Sequence, residues 1–309
     1  MSGVGTNSGV IVTLEQCTSV LSAWLGASVP CLSISRLHGG MCYGVFRLSF
    51  GRAPFQAVLK VDIEPSSNGL AREHARIDYV RGLSQFPAPR VYYEDSSRTF
   101  LPYSVLVLEL IDGENLESVQ LSRPERARID HQLAVALVEL HSHTRAGFGE
   151  IDAEGIPRWL DVFLPRLIDL RQDMDSRLPK SALADLDIAL SKAPDALQES
   201  GVPILVHGDL WGGNIIVVQR PDGWHLSGVV DWPALQYADV EYELAYLEAW
   251  HTVTPAFFET YARHSPLREG YEWRRLFYWL HTYMLHTWLF GQDRYRDLTA
   301  QTAARIARG

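Results

Sequence analysis

Residues 204–232 constrain this chain more than any other stretch. They read I-L-V-H-G-D-L-W-G-G-N-I-I-V-V and, after a short polar insert, S-G-V-V-D-W. The apolar runs at 204–206, 215–218 and 229–230 are too short for helices and rich in β-branched residues. That pattern predicts three short strands with polar residues on the loops at their ends. Between the last two, Arg220-Pro221-Asp222-Gly223 is a hairpin signal, because proline fixes one φ and glycine supplies a positive one. Asp209, Asn214 and Asp231 therefore fall at strand–loop junctions.

Two carboxylates and an amide at this spacing suggest a chemistry. Phosphoryl transfer from ATP needs one carboxylate facing the acceptor hydroxyl, and an amide plus a second carboxylate to hold Mg²⁺ over the phosphates. Asp209 fits the first role, and Asn214 and Asp231 fit the second. Taken singly, a buried Asp beside a His is usually a satisfied loop residue. In combination, H-G-D-x-x-x-x-N, the hairpin and the terminal V-V-D-W point to function. His207 is expected to brace the loop through hydrogen bonds rather than to exchange protons.

This combination resembles the aminoglycoside phosphotransferase and fructosamine kinase superfamily, whose fold is similar to that of protein kinases. H-G-D-L-W-G-G-N sits close to the H-G-D-L-W-S-G-N of fructosamine kinases. Further along, P-A-L-Q-Y-A-D-V-E-Y-E-L-A, F-F-E-T-Y, P-L-R-E-G-Y and Y-W-L-H-T-Y-M-L-H-T-W-L-F-G also resemble that family. There are departures. Trp232 is an extra residue by that comparison, and the D-W spacing to Asp239 suits the aminoglycoside phosphotransferases instead. The Q-P-N-type segment is absent between F-G-E and W-L-D-V-F-L-P-R-L. The likeness is dense over residues 204–292 and thin before residue 100. It implies an α+β, bilobal protein-kinase-like fold. Residues 1–110 would form an N-terminal ATP-binding lobe with a small antiparallel sheet plus a helix. Residues 111–309 would form a larger, mainly helical lobe for catalysis and acceptor binding.

The rest of the chain bounds these expectations. At 309 residues it can bury a sizeable core, with 47% hydrophobic and 21% charged residues. A formal charge of −9 argues against a nucleic-acid partner, because phosphate binding rests on clustered Lys and Arg. No apolar run approaches the ~20 residues needed to span a bilayer. The opening M-S-G-V-G-T-N-S-G-V has no basic start leading into an apolar block, so no secretory signal is read there. Cys17, Cys31 and Cys42 are odd in number and suggest no disulfide framework. A reduced, cytoplasmic protein, monomer or homodimer, is expected.

Upstream, Thr13 and Gln16 form a capping box for a helix that Gly26 ends. H-G-G-M-C-Y-G then joins two strands, and Gly39, Gly40 and Gly44 would let backbone N–H groups approach phosphate oxygens. A third strand, F-Q-A-V-L-K-V, carries Lys60. A buried amine needs a reason, since an unpaired buried charge is costly. An ATP phosphate and Glu73, on a following helix patterned Leu70, His74, Ile77, Val80, supply one. Glu73 is similar in placement to the superfamily's helix glutamate. V-L-V-L-E-L-I-D-G resembles the segment that joins the lobes in that superfamily, which implies adenine contacts from the Glu109 carbonyl and the Ile111 amide. Cys42 matches a cysteine that fructosamine kinases often carry in the glycine-rich loop; a small residue tolerated in a turn is the favoured reading over a reactive thiolate.

Ser122 with Glu125 caps a long helix, and His141 and His143 at its end are read as residues favoured by the helix dipole rather than metal ligands. Residues 178–197 are expected to be helical. For the acceptor, Trp211 offers an indole face to a sugar or a cation, worth ~0.5–2 kcal/mol for a cation; packing beneath the loop explains it equally well. Tyr283, His286 and Trp288 form an aromatic stripe suited to acceptor binding or to a core. Asp239 and Glu241 would receive an amine-bearing substrate, or cap the next helix. Together these features indicate a kinase using ATP and Mg²⁺ on a small sugar-like acceptor such as a ketosamine. An antibiotic-inactivating phosphotransferase is the alternative, and a non-catalytic nucleotide-binding module is disfavoured by the intact Lys60, Asp209, Asn214 and Asp231.

Overall fold

The computed structural model describes residues 10–37, 43–62, 64 and 68–309. Gly39, Gly40 and Cys42 lie outside the described residues. In chain order the elements are α1 (Leu14–Leu25), β1 (Cys31–Arg36), β2 (Gly44–Phe50), β3 (Gln56–Asp62), α2 (Gly69–Leu83), β4 (Val91–Asp95), β5 (Ser104–Leu108) and β6 (Glu114–Asn115). There follow α3 (Arg123–Leu140), β7 (Gly149–Glu150), α4 (Trp159–Gln172), α5 (Lys180–Ala196), β8 (Ile204–Val206), β9 (Ile215–Arg220), β10 (Gly223–Val229) and β11 (Gln236–Ala238). Helices α6 (Val240–Ala249), α7 (Pro255–Tyr261), α8 (Tyr271–Phe290) and α9 (Asp293–Arg308) complete the chain.

Local signals set several of these ends. The Thr13 hydroxyl accepts from the Gln16 amide at 3.2 Å, and Gln16 Oε1 accepts from the Thr13 amide at 2.9 Å. Such a cap is worth about 1 kcal/mol. Gly26, at φ 63°, ends α1 in the left-handed region. Ser122 and Glu125 form the second capping box at α3.

The chain divides into two compact units. The first comprises Met1–Val119 and Gly213–Pro233. Its five-stranded antiparallel sheet runs β1-β2-β3-β5-β4. Strand periodicity sends Phe46, Leu48 and Phe50 of β2, with Ala57, Leu59 and Val61 of β3, into a core shared with Cys17, Val20 and Leu21 of α1. Each large apolar side chain buried there contributes about 1.5–3 kcal/mol. Lys60 alternates with that set and so falls on the other face of β3, its backbone paired with Val45 and Leu106.

Residues 111–119 and the 213–233 hairpin lie with the first unit, which differs from a boundary at residue 110. The reason is a strand pairing between distant segments. β6 pairs with β9, Glu114 opposite Val217 and Asn115 opposite Ile216, to give the sheet β10-β9-β6. Gly113, at φ 129°, permits the approach: a Cβ there would come within 2.2 Å of the Val217 carbonyl oxygen.

The second unit comprises Gln120–Gly212 and Ala234–Gly309. Its small sheet runs β7-β11-β8, and helices supply the rest. Trp159, Phe163 and Leu167 of α4, Leu186 of α5, Phe277 and Leu280 of α8, and Ile306 of α9 share one core. Among the described residues no helix is long and apolar enough to cross a membrane.

His281 sits in that core, its ring 5.1 Å from Phe163 and 5.8 Å from Tyr242. Burial pushes its imidazole down to about 3 and that of His286 down to about 4. The folded state therefore binds fewer protons than the unfolded chain below the ordinary histidine range, and stability should fall as pH drops through about 6.5. One such histidine accounts for about 2 kcal/mol between pH 7 and pH 5. Urea unfolding at the two pH values should show a smaller drop in His281→Gln than in the wild type; an unchanged drop would clear this histidine of the effect.

Candidate active site

In the first unit charged side chains gather around Lys60. Its Nζ donates to Glu73 Oε1 at 2.8 Å and Oε2 at 2.6 Å, and to Asp231 Oδ1 at 2.9 Å. Lys60 is 5% exposed and Glu73 fully buried. Burial alone would push the ammonium toward neutrality, but Asp231 and Glu73 outweigh it and hold Lys60 above its ordinary range, charged. The Tyr43 ring lies 4.9 Å from the ammonium, and burial raises that phenol to about 12. Glu73 reaches Lys60 because it shares the buried face of α2 with Leu70, Ile77 and Val80.

Asn214 and Asp231 lie on the two strands' extensions at the open end of the β9–β10 hairpin. Ile215 pairs with Val229, and one step outward the Val230 amide donates to the Asn214 carbonyl at 2.9 Å. Asn214 is buried, whereas the Asp231 side chain is 33% exposed. Asp231 has φ 69°, a region that costs a non-glycine residue roughly 1–3 kcal/mol, although short Asp side chains tolerate it best. The surroundings hold it there. The Trp232 amide donates to Glu73 Oε1 at 3.3 Å, and its indole N–H donates to the Val229 carbonyl at 3.0 Å. Its ring is edge-on to Phe86, and the Arg76 guanidinium binds the Pro233 carbonyl. Trp232, which looks like an insertion in the sequence, is thus the residue that ties the Asp231 turn to Glu73.

Glu109 and Ile111 line a groove of about 350 Å³ in the same unit, with Arg47, Gln56, Asp112 and Gly113. Gly44 opens β2 beneath Val10, where a Cβ would come within 3.2 Å of that side chain.

In the second unit Asp209 follows β8, which pairs with β11 through Val206 and Gln236. Gly208 turns the chain at φ 82°, and a Cβ there would lie 2.5 Å from the Ala234 carbonyl oxygen. The buried His207 accepts from the Asp209 amide through Nδ1 at 3.2 Å, which is a bracing contact. Glu243 Oε1 accepts from the Gly208 amide at 2.8 Å, and its Oε2 meets His141 Nε2 at 2.8 Å. His141 Nδ1 meets the Tyr261 hydroxyl at 2.6 Å. The Tyr246 hydroxyl donates to Asp209 Oδ1. Sequence reasoning missed Glu243 and Tyr246, and it read His141 as a helix-end residue. The available signal was a Glu and a Tyr in a helix, α6, buried nearly all round, where polar groups must find partners.

The remaining acceptor candidates divide. Asp239 Oδ1 caps α6 through the Glu241 amide at 3.0 Å, and its Oδ2 accepts from Arg268 at 2.6 Å. Arg274 grips Glu241 at 2.6 and 2.8 Å, and both carboxylates are buried. Capping and internal pairing are therefore the roles the structure gives them. Trp288 packs against the helical core. Tyr283 and His286 instead meet Trp250, at 5.9 and 4.6 Å between ring centres. Trp250 in turn lies edge-on to Tyr246, 6.1 Å away, so this aromatic group adjoins the partner of Asp209. His286 Nδ1 donates to the Thr282 carbonyl at 2.8 Å, so the proton of the neutral ring sits there. Trp211 is half-buried on the loop two residues beyond Asp209.

Comparison with known proteins gives the family. Over 269 residues the chain is 35% identical to the probable ketoamine kinase YniA of Escherichia coli K12, covering 83% of this chain and 87% of that one. A probable ketoamine kinase of Staphylococcus aureus is 38% identical over 104 residues, and the chain spans about a third of that relative's length (34%). A solved chain from Haemophilus somnus, named "Putative fructosamine-3-kinase", shares the fold with a TM-score of 0.74 at 18% identity, covering 94% of this chain and 96% of that one. The profile of the phosphotransferase enzyme family matches residues 34–277, a span that holds Lys60, Glu73, Asp209, Asn214 and Asp231. The chain belongs to the phosphotransferase enzyme family.

Proposed function

We propose that this chain transfers the γ-phosphate of ATP to a hydroxyl of a sugar-like acceptor of the ketosamine kind. The observation that carries the reading is the buried Lys60 bound at once to Glu73 and Asp231, with Asn214 across the hairpin end. Lys60 steadies the α- and β-phosphates, and Glu73 holds Lys60 for that task. Asn214 and Asp231 offer hard oxygen donors, one amide and one carboxylate, which suit a small cation that keeps several waters and also binds phosphate. These two residues would hold Mg²⁺, whose charge offsets that of the phosphates. Gly39 and Gly40, outside the described residues, and Gly44 are proposed for the phosphates, and the Glu109 carbonyl and Ile111 amide for the adenine. Asp209 orients the acceptor hydroxyl and takes its proton as the bond to phosphorus forms.

The ketosamine reading draws on what the Escherichia coli and Haemophilus somnus relatives are named for, and on the aromatic faces of Tyr283, His286 and Trp250 beside Tyr246. Trp211 is proposed as a further platform for the sugar. A second reading, antibiotic inactivation, is favoured by one feature, the Asp231–Trp232 spacing to Asp239. A cytoplasmic, reducing setting suits either.

Asp209→Asn should lower kcat by ~10²–10⁴ while leaving ATP affinity within a few-fold, since general-base catalysis supplies that much. Asp231→Ala should weaken Mg²⁺-dependent nucleotide binding itself. Calorimetry beside steady-state assays separates the two, and identical binding defects would refute this division of roles. For the acceptor, a coupled ATPase screen should respond to ketosamines and stay at baseline with aminoglycosides and nucleoside antibiotics. Trp211→Ala should then raise the acceptor KM more than the ATP KM; equal changes would return Trp211 to a packing role.

A further inference from the structure

Helix α6 offers two polar side chains one turn apart on one face, Glu243 and Tyr246. They meet two consecutive residues of the loop after β8. Glu243 takes the Gly208 amide, and Tyr246 takes the Asp209 carboxylate. The first contact fixes backbone and is itself backed by His141 and Tyr261. The second fixes a side chain. An aspartate carboxylate can rotate about its Cβ–Cγ bond, and a donor on one oxygen favours one setting of that rotation.

We infer that Tyr246 is a positioning residue for Asp209, holding Oδ1 so that the acceptor's proton falls to Oδ2. The inference rests on the proposed role of Asp209 as the base. Tyr246 is buried, and its ring is held by Trp250, which in turn packs on His286 and Tyr295. Burial first, and then the neighbouring Asp209, keep its phenol well above the ordinary range, so it retains its proton and donates. A hydrogen bond from a hydroxyl to a charged carboxylate is roughly twice as strong as one between neutral groups. Among the described residues, the titratable groups near the pair include Tyr242 and Glu243 on the same helix and His207 on the loop, with His286 of α8 beyond Trp250. The arrangement exchanges some basicity of Asp209 for a fixed direction, because a donor to the charged form lowers its proton affinity.

Tyr246→Phe removes only the hydroxyl and keeps the ring against Trp250. It should lower kcat about 10–100-fold, the scale of a misplaced catalytic group, with the ATP KM within twofold of wild type. The acid limb of the kcat–pH profile should move to higher pH, a change that loosened packing alone would not cause. In the double variant with Asp209→Asn the second substitution should add no further loss, since both act through one group. An unmoved acid limb with wild-type kcat, or fully additive losses, overturns the inference. Wild-type turnover in Asp209→Asn would overturn the base assignment and this inference with it. Loss in Asp209→Asn beside a wild-type Tyr246→Phe would overturn this inference alone.

Discussion

A lysine ammonium on an inner strand is the constraint from which the first unit follows. Lys60 is removed from water, and an isolated charge in that position would lose its proton or unfold the sheet. Two carboxylates, from α2 and from the end of β10, keep it charged. Removing one partner of such a buried pair costs about 3–5 kcal/mol, because the other charge is stranded. The position of α2 against the sheet, the length of the hairpin and the turn at Asp231 are all tied to three side chains meeting. Glu73 carries a double duty here, bonding the lysine and also the amide of Trp232. The strained φ of Asp231 persists because the residues on both sides are pinned, Val230 to Asn214 and Trp232 to Glu73.

The second unit solves a different problem, that of holding a loop carboxylate in one orientation. It does so with a helix whose surface is almost wholly inside the fold. Polar side chains on such a helix must be matched, and each of Asp239, Glu241, Glu243 and Tyr246 is. The first two are matched internally by Arg268 and Arg274, which stabilises the helix start. The latter two are matched by the loop after β8. Acidic residues close together in sequence thus serve separate ends, distinguished only by the direction in which α6 projects them.

Much of this was legible in the residues themselves. The residues predict a strand at 204–206, the bounds β8 has, and Gly26 and the Thr13 box set the ends of α1, because those signals act over three or four residues. The cost of burying an amine calls for a partner to Lys60, and the resemblance to the superfamily's helix glutamate points to Glu73. The helix expected at 178–197 forms as α5 within two residues at either end. Asp239 and Glu241 show the limit. The residues leave them open between receiving an amine-bearing substrate and capping the next helix, and only the placement of Arg268 and Arg274, about thirty residues further along the chain, reveals where those charges are neutralised.

The sequence by itself determined which chemistry the chain carries, since residue type and spacing along short strands place Asp209, Asn214 and Asp231 at loop ends. It also determined the caps, the turns and the alternation that separates core from polar face. The tertiary structure alone decided which polar groups distant in the chain come together at the Asp231 turn and at the loop after β8. It moved the 213–233 hairpin into the first unit through the pairing of β6 with β9, and it gave Trp232 a partner in Glu73. It also set Tyr246 against Asp209. The physical reason is one of range. Capping and strand alternation act between near neighbours, whereas a hydrogen bond across 37 or 159 positions exists only once packing has brought its ends together.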